Sequence, residues 1–206
     1  MLGPRRGRGT GGTISTDDGS HDFVDDADLV GRVRAGDTDA YAVLVRRHAP
    51  VAMRTAALLG AGSDAEDVVQ EALVKAYRSL GSFRADRPFR PWLLRIVANE
   101  TRNAHRSAVR RAGREAREAR PPLTDLLDPS AQVVGREDRE RLLAAVGRLP
   151  DKLAHVVACR YLLELDEAAT AVVLGVPRGT VKSRLSRGLA RLRDDLATTI
   201  EEVDHA

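Results

Sequence analysis

The feature that most constrains this chain is a pair of helical patterns separated by a short break near the C-terminus. An Ala- and Val-rich run from Asp166 to Val173 precedes the break, which is Gly175-Val176-Pro177, and a second helical pattern begins at Arg178. Because glycine and proline interrupt helices, the two patterns are read as separate helices joined by a tight turn. Such a unit is typical of a helix-turn-helix, whose second helix enters the major groove of duplex DNA.

The residue types in the second helix support that prediction. With about 100° between successive residues, one side is apolar and the opposite side is polar. The apolar side consists of Val181, Leu185, Leu189, Leu192 and Leu196. The polar side consists of Thr180, Ser183 and Arg187, with Lys182, Arg184 and Arg191 between the two sides. These side chains can pair with base edges and phosphates, and no acidic residue occurs from Arg178 to Arg193. A basic amphipathic helix that is solvated or packed on a partner is the simpler alternative.

Length and charge limit what else the chain can be. Its 206 residues allow one or two compact domains, and a content of 43% hydrophobic but only 3% aromatic residues favours an all-α fold. The formal net charge is only +3, yet the charges are segregated along the sequence. From Arg102 to Arg120 there are seven arginines and two glutamates, whereas Ser63 to Glu71 has four carboxylates and no basic residue. This segregation predicts two partners of opposite surface charge.

Several classes of protein are disfavoured. The single Cys159 lies in an apolar run and forms neither a disulfide framework nor a zinc cluster. No apolar stretch is long enough to span a membrane, and residues 1–20 lack the hydrophobic core of a secretory signal, so we expect a cytoplasmic protein without membrane insertion. The histidines are scattered and no nucleophile lies in a catalytic motif, so we expect no enzyme activity, no cofactor and no metal.

An acidic helix is predicted in the N-terminal half. Ser63 to Glu66 fits a capping box, which places the start of a helix at Asp64. The predicted buried stripe consists of Val69, Leu73, Ala76, Tyr77 and Leu80. That stripe leaves Asp67, Gln70 and Glu71 together on the outside. Favourable charge near a helix N-terminus explains Asp64 and Glu66, but Glu71 lies beyond the first turn and needs another explanation.

A basic loop with aromatic residues follows this helix. Phe83 and Phe89 alternate with Arg84, Arg87 and Arg90, and a helix that opens with Trp92 then turns polar through Asn99 and Asn103. Aromatic rings interleaved with arginines can stack on unpaired bases and pair with them. For Trp92 alone, a core anchor is the simpler explanation.

The chain divides into two modules. Apolar periodicity is lost between residues 108 and 136, where Pro121-Pro122 and Asp128-Pro129 indicate a linker. Helices are predicted beyond it near Glu137–Val146, Asp151–Leu163, Asp166–Leu174 and Arg178–Leu196. We therefore expect two small helical domains, at 25–107 and 137–198, joined by a flexible linker and flanked by a disordered tail at 1–24 and a short tail at 199–206. The C-terminal domain would be a helix-turn-helix, winged-helix-like DNA-binding domain.

Two motifs together resemble the sigma-70 family of bacterial RNA polymerase promoter-specificity subunits, in its compact extracytoplasmic-function form. One motif runs from Asp64-Ala65-Glu66-Asp67-Val68-Val69-Gln70-Glu71-Ala72 through Ala76-Tyr77 and Phe83 to Trp92-Leu93-Leu94-Arg95-Ile96-Val97-Ala98-Asn99. The other consists of Leu149-Pro150, Arg160-Tyr161 and the segment from Leu174 to Leu185. The resemblance covers roughly 28–107 and 138–196. It implies an alternative sigma factor that binds core RNA polymerase, recognises and melts promoters and starts transcription.

The resemblance also implies roles for individual residues. Asp67, Gln70 and Glu71 match the face that docks on the clamp coiled-coil of core polymerase. The residues that match the capture of the melted −10 element are Phe83, Arg84, Arg87, Trp92, Asn99 and Asn103. Those that match the recognition helix for the duplex −35 element are Thr180, Lys182, Ser183, Arg184 and Arg187. The implied partners are the clamp and flap of core polymerase, promoter DNA and, from family habit, an anti-sigma factor.

The sequence departs from the usual family pattern in places. Ala169 stands where many relatives have a helix-start glutamate, so Asp166 would cap its helix alone. Thr170 occupies a usually aliphatic site, and Ala154 and Asn103 also differ from the common residues. A stand-alone helix-turn-helix regulator is the alternative function, but such a protein needs neither the acidic face nor the Phe/Arg loop. A DNA-processing enzyme is a third and weaker alternative.

Overall fold

The computed structural model describes residues 24–112 and 136–204, and their side chains from 24 to 109 and from 141 to 197. The helices are α1 (Asp26–Arg34), α2 (Thr38–Leu58), α3 (Ala65–Ser79), α4 (Phe89–Ala112), α5 (Arg136–Arg148), α6 (Asp151–Val157), α7 (Glu167–Leu174) and α8 (Arg178–Asp204). Within these two ranges the regular structure is entirely helical, which confirms the predicted all-α class. The predicted tail at 1–24, except for Val24, and residues 113–135 of the predicted linker lie outside the described residues.

Helices α1 to α4 form the N-terminal module. Asp37 caps α2, because its Oδ1 accepts from the backbone N–H groups of Asp39 and Ala40 at 3.0 and 3.1 Å. Helix α1 is tied to α2 by His48, whose Nε2 lies 2.8 Å from Asp26 Oδ2. Helix α4 begins at Phe89 and continues to Ala112, past the domain boundary predicted at 107.

Two expectations about α3 are corrected. The helix begins at Ala65 after a 3₁₀ turn at Gly62–Asp64, and no side chain caps it. Ser63 Oγ donates to Asp64 Oδ1 at 3.4 Å instead, so the capping box does not form. Within the predicted buried stripe, Val69, Ala76 and Leu80 are buried and Leu73 is partly buried. Tyr77 is 45% exposed and rests its ring on Tyr41, with centroids 4.9 Å apart.

Helices α5 to α8 form the C-terminal module. Helix α6 passes into a π-helical turn at Ala158–Leu162 before the chain reaches α7. Helix α8 packs closely on α6 at Gly188, where a Cβ atom would lie 2.9 Å from Val157 Cγ2. A glycine is therefore required for the present distance between the two helices, because any side chain would push α8 outward.

The two modules are packed against each other. A single cluster of buried apolar side chains includes Leu94 and Val97 of α4 together with Leu163, Leu165 and Val173 of the C-terminal module. Arg95 of α4 also reaches α7 through a hydrogen bond. The chain therefore forms two helical modules, as predicted, and α4 contacts both α7 and the segment that precedes it.

Candidate nucleic-acid and protein interfaces

The turn before α8 is built from three local features. Asp166 caps α7, since its Oδ1 accepts from Ala169 N–H at 2.6 Å, which confirms that the carboxylate caps the helix alone. Helix α7 ends at Gly175, whose φ of +67° lies in the left-handed region that glycine adopts without strain. Pro177 then accepts, through its carbonyl, from the N–H groups of Thr180 and Val181 at the start of α8.

Helix α8 presents the predicted faces. Val181 is fully buried and Leu192 is 6% exposed, while Leu185, Leu189 and Leu196 pack against the same cluster. On the outer side Lys182, Ser183 and Arg187 are exposed, and Thr180 and Arg184 are half-buried. The long side chain of Arg187 leans back along the helix, where its Nε donates to Ser183 O at 3.3 Å. The outer side of α8 therefore offers hydroxyl and cationic groups to a ligand, as duplex DNA requires.

The acidic side chains of α3 are on the surface. Asp67, Gln70 and Glu71 are all exposed, and the Glu71 side chain has 54% of its surface accessible. Lys75 partly neutralises this face, because its Nζ lies 3.4 Å from Glu71 Oε1 and 2.5 Å from Glu100 Oε2. These contacts, chiefly the hydrogen bond with Glu100, raise the pKa of Lys75, which therefore stays charged. The carboxylates remain available to a basic partner.

The sequence missed an apolar continuation of this face. Val74 is 39% exposed and Tyr77 is 45% exposed, one and two turns along α3 from Gln70 and Glu71. Exposed apolar groups beside charged ones are common where another protein docks. The helical spacing of Val74 could have indicated this, but Tyr77 was expected in the core.

Phe83, which was predicted to meet bases, is buried in this structure. Phe83 is only 4% exposed and packs its ring on Phe89 and Trp92, with centroids 5.7 and 4.9 Å away. Arg34 holds the adjacent backbone, donating to the carbonyl oxygens of Leu80 and Phe83. In this structure the Phe83 ring is a core anchor and has no free surface for stacking.

The other members of the predicted −10 set are accessible to different degrees. Arg84 and Arg87 are exposed, and Arg84 is paired with Asp86, with Nη2 and Oδ2 at 3.0 Å. That pairing lowers the pKa of Asp86, chiefly through the hydrogen bond. Trp92 is half-buried against Phe83 and Phe89, so its structural role is established and only part of the ring faces outward.

The two asparagines of the predicted −10 set lie on α4 among several arginines. Asn99 is half-buried and Asn103 is exposed, with Asn103 Nδ2 donating to Glu100 Oε1 at 3.3 Å and Arg106 Nη2 donating to Asn103 Oδ1 at 2.9 Å. Burial, and then repulsion from Arg95 and Arg106, lowers the pKa of Arg102. The guanidinium groups of Arg95, Arg102 and Arg106 are therefore near one another. Arg95 was not among the predicted site residues, although its spacing from Trp92 and Asn99 places it on the same face of α4.

Other kinds of site find little support in the described part of the chain. Among residues 24–109 and 141–197, no group of three or more His, Cys, Asp or Glu side chains is arranged to hold a metal ion. Cys159 is fully buried, and burial raises the pKa of its thiol to about 12. None of the helices in the described ranges combines the length and the apolar character needed to cross a bilayer.

Two family models match the chain, one in each module. The family model for Sigma-70 region 2 matches residues 44–111, and that for Sigma-70, region 4 matches residues 139–192. The ECF RNA polymerase sigma-E factor of Escherichia coli (strain K12) is 33% identical over 167 residues, covering 77% of this chain and 87% of that protein. The chain belongs to the extracytoplasmic-function (ECF) group of sigma-70 factors. The ECF RNA polymerase sigma factor SigW of Bacillus subtilis (strain 168) is 32% identical over 174 residues, covering 80% of this chain and 93% of that protein.

Solved structures of sigma factors share the ECF fold seen here. CnrH in complex with the cytosolic domain of CnrY has a TM-score of 0.63 at 28% identity, covering 84% of this chain and 97% of that one. The sigma factor RpoE of Bartonella quintana, in complex with the anti-sigma factor NepR, has a TM-score of 0.61 at 22% identity, covering 76% of this chain and 96% of that one. Region 2 thus corresponds to much of the module with the acidic face, and region 4 to the module with the recognition helix. As an ECF sigma factor, this chain is a transcription initiation factor.

Proposed function

We propose that this ECF sigma factor docks on core RNA polymerase through α3 and directs it to promoters with two elements, captured by α4 and α8. The observation that carries the proposal is the exposed Asp67, Gln70 and Glu71 face on one module together with an acid-free, exposed helix face on the other. A stand-alone DNA-binding regulator needs only the second of these surfaces. The functional units proposed are residues 25–107 and 137–198.

The proposed division of labour follows from the chemistry of each surface. Carboxylates and an apolar margin on α3 suit a basic partner such as the clamp coiled-coil. Half-buried Asn99 and exposed Asn103 can read the edges of unpaired bases, while the arginines near them contact phosphates. The proposed −10 residues are Phe83, Arg84, Arg87, Trp92, Asn99 and Asn103. Phe83 is buried in the free protein and would have to be uncovered before it could meet a base.

The proposed −35 contacts are made by α8. Its exposed side chains are Lys182, Ser183 and Arg187, flanked by the half-buried Thr180 and Arg184. In a major groove, arginine pairs with guanine, and serine and threonine contact several bases. A contact to a base should give sequence-dependent effects on substitution, whereas a phosphate contact should weaken binding to all sequences equally.

We further propose that the protein acts in the cytoplasm, where core polymerase is found, and that it has no catalytic activity of its own. An anti-sigma factor is a proposed partner, because the solved relatives CnrH and RpoE are described in complexes with CnrY and with the anti-sigma factor NepR.

The proposal is tested by transcription with purified core polymerase on a fragmented genomic template. We expect promoter-dependent initiation with the wild-type protein, and its loss together with loss of core binding when Asp67→Lys is combined with Glu71→Lys. The matched control is Asp28→Lys with Asp39→Lys, which makes the same charge change at exposed carboxylates of α1 and α2. The control should bind core polymerase normally. Specific duplex binding by the free protein without any promoter-dependent initiation would instead identify a stand-alone regulator.

A further inference from the structure

Two arginines of α4 donate to backbone carbonyls of the C-terminal module. Arg95 Nη1 lies 2.7 Å from Val172 O, and Arg90 Nη2 lies 2.8 Å from Leu163 O. Val172 is in the last turn of α7, where the helix dipole is negative, and its carbonyl also accepts from Gly175 N–H at 3.3 Å. The guanidinium of Arg95 therefore adds a second, charged donor to this carbonyl and counters the negative end of the helix dipole.

The close approach of Arg95 depends on the residue that ends α7. A Cβ atom on Gly175 would lie 3.0 Å from Arg95 Nη1. Glycine at this position thus serves two purposes, since it adopts the left-handed conformation and leaves room for the guanidinium.

Apolar contacts lie beside these hydrogen bonds, of which the one from Arg95 is exposed and the one from Arg90 is partly buried. Leu94 and Val97 of α4, Leu163 and Val173 are each at most 1% exposed and belong to the same buried cluster. The apolar part of the contact between the modules therefore excludes water, and its opening would expose apolar surface on both modules.

The contact lies on the face of α4 that we propose for the −10 element. Trp92, Arg95, Asn99 and Arg102 follow one another at spacings of three or four residues, so they line one side of the helix. Helix α7 is bound at Arg95, between Trp92 and Asn99. While α7 occupies that place, a DNA strand cannot follow the whole row.

Electrostatics favours DNA phosphates over the Val172 carbonyl as the partner of these arginines. The lowered pKa of Arg102 reflects its burial and the repulsion from Arg95 and Arg106. A phosphodiester backbone carries a full negative charge at each phosphate, whereas a helix terminus carries about half a charge in all. Phosphates would therefore relieve the repulsion more fully than the carbonyl of Val172 does.

We propose that Arg90 and Arg95, with the carbonyls of Leu163 and Val172, form a latch that closes the C-terminal module over the −10 face in the free protein. Single-stranded DNA releases the latch by taking these arginines from the carbonyls, so closure and DNA capture exclude each other. This inference rests on the proposed function of α4 in DNA capture and adds a means of keeping the unbound protein closed.

The latch can be biased from α7 without changing a DNA-binding residue. Val172 is the residue whose carbonyl Arg95 contacts, and it is 38% exposed. A charged side chain can therefore be accommodated at this position. Val172→Lys should repel Arg95 and open the latch, Val172→Glu should attract Arg95 and close it, and Val172→Gln is the neutral reference. The charge controls are Ala27→Lys and Ala27→Glu, at an exposed position on α1.

Two measurements follow the state of the latch in the full-length chain. Energy transfer between dyes on Ala42→Cys of α2 and Ala144→Cys of α5, both exposed positions, reports the distance between the modules. Cys159 is buried with a thiol pKa of about 12, so it should not take the dye. Binding of a mixed-sequence single-stranded DNA of about a dozen nucleotides reports access to the α4 face.

We expect single-stranded DNA to lower energy transfer in the wild-type protein. Affinity for that DNA should decrease in the order Val172→Lys, Val172→Gln, Val172→Glu, by about two- to fivefold at each step, as expected for a partly exposed charge pair. Equal affinities across the three variants, unchanged energy transfer on DNA addition, or the same order at Ala27 would each overturn the latch. Failure of the proposed function would look different, because no variant would then support promoter-dependent transcription, whatever the energy transfer.

Discussion

Replacing Gly188 by alanine should destabilise the C-terminal module, although the same substitution stabilises most helices. Gly188 lies inside α8, where alanine favours the helix by about 1 kcal/mol over glycine. Against this gain, the new Cβ would lie 2.9 Å from Val157 Cγ2 and 3.7 Å from both the Cβ and the carbonyl oxygen of Leu153. Carbon atoms in good contact are about 3.5 to 4.0 Å apart, so one group must move.

The group that would have to move has little freedom. Val157 is 3% exposed, and a β-branched side chain in a helix has one strongly preferred rotamer. Adding a methyl group to such a core costs about 1 to 3 kcal/mol. After subtracting the propensity gain of about 1 kcal/mol, we expect the free energy of unfolding to fall by about 1 kcal/mol.

Urea unfolding followed by circular dichroism measures this change for the whole chain. The matched control is Gly31→Ala in α1, where an added Cβ would meet nothing within 4 Å, so the free energy of unfolding should rise by about 0.5 to 1 kcal/mol. In a Val157→Ala background the clash is absent, and Gly188→Ala should become neutral or stabilising. The coupling between the two sites should be about 1 to 2 kcal/mol.

The outcome also bears on DNA binding, because α6 supports the helix that carries the proposed −35 contacts. If Gly188→Ala stabilises the protein as much as Gly31→Ala does, the close packing of α8 on α6 is not a constraint and the reasoning is refuted. If the substitution destabilises the protein equally with Val157 and with alanine at 157, the cause is not the contact with that side chain.

Four further predictions concern other residues. Asp166→Ala should lower the free energy of unfolding by about 1 kcal/mol because Ala169 N–H loses its cap, and Asp166→Asn should retain most of that stability in the same urea assay. Thr170 is fully buried and its Oγ1 has no hydrogen-bond partner among the described residues. Thr170→Val should therefore raise the free energy of unfolding by about 1 kcal/mol. A decrease would show that the hydroxyl is satisfied. Burial lowers the pKa of His48, although Asp26 opposes the shift. The unfolded chain therefore binds the proton more readily, and the free energy of unfolding should fall as the pH decreases below about 6.5. In His48→Gln, the urea midpoint should not show this dependence on pH. Arg187→Ala should cost about 1 to 3 kcal/mol on the preferred −35 sequence in a holoenzyme binding assay if it contacts a base, and an equal loss on all sequences would identify a phosphate contact.

Helical periodicity was sufficient to predict which faces of α3 and α8 are exposed or apolar. The apolar side of α8, the exposed carboxylates of α3 and the cap at Asp166 all follow from residues within a few positions of one another. The reason is that helix geometry is local, so spacing along the chain translates directly into direction around the axis. The bounds of α7 and the start of α8 were predicted almost to the residue for the same reason.

Helical periodicity could not predict which aromatic side chains are buried. Phe83 and Tyr77 were expected outside and inside, respectively, and the structure has them the other way round. Burial of Phe83 depends on Arg34, which is far away in sequence and holds the backbone of the loop, and on the rings of Phe89 and Trp92. A large side chain at the edge of a helical stripe, such as Tyr77, or in a loop, such as Phe83, can face either way, and its tertiary contacts decide the outcome.

By itself, the sequence determined an all-helical chain with a helix-turn-helix, an acidic helix and an arginine-rich helix. Only the tertiary structure decided how close α8 lies to α6 at Gly188, and that Arg90 and Arg95 bind carbonyls of the other module. These contacts join residues that are 31 to 77 positions apart, so no local pattern encodes them. They depend on the packing of whole helices, in which backbone carbonyls and a missing Cβ matter as much as any side chain.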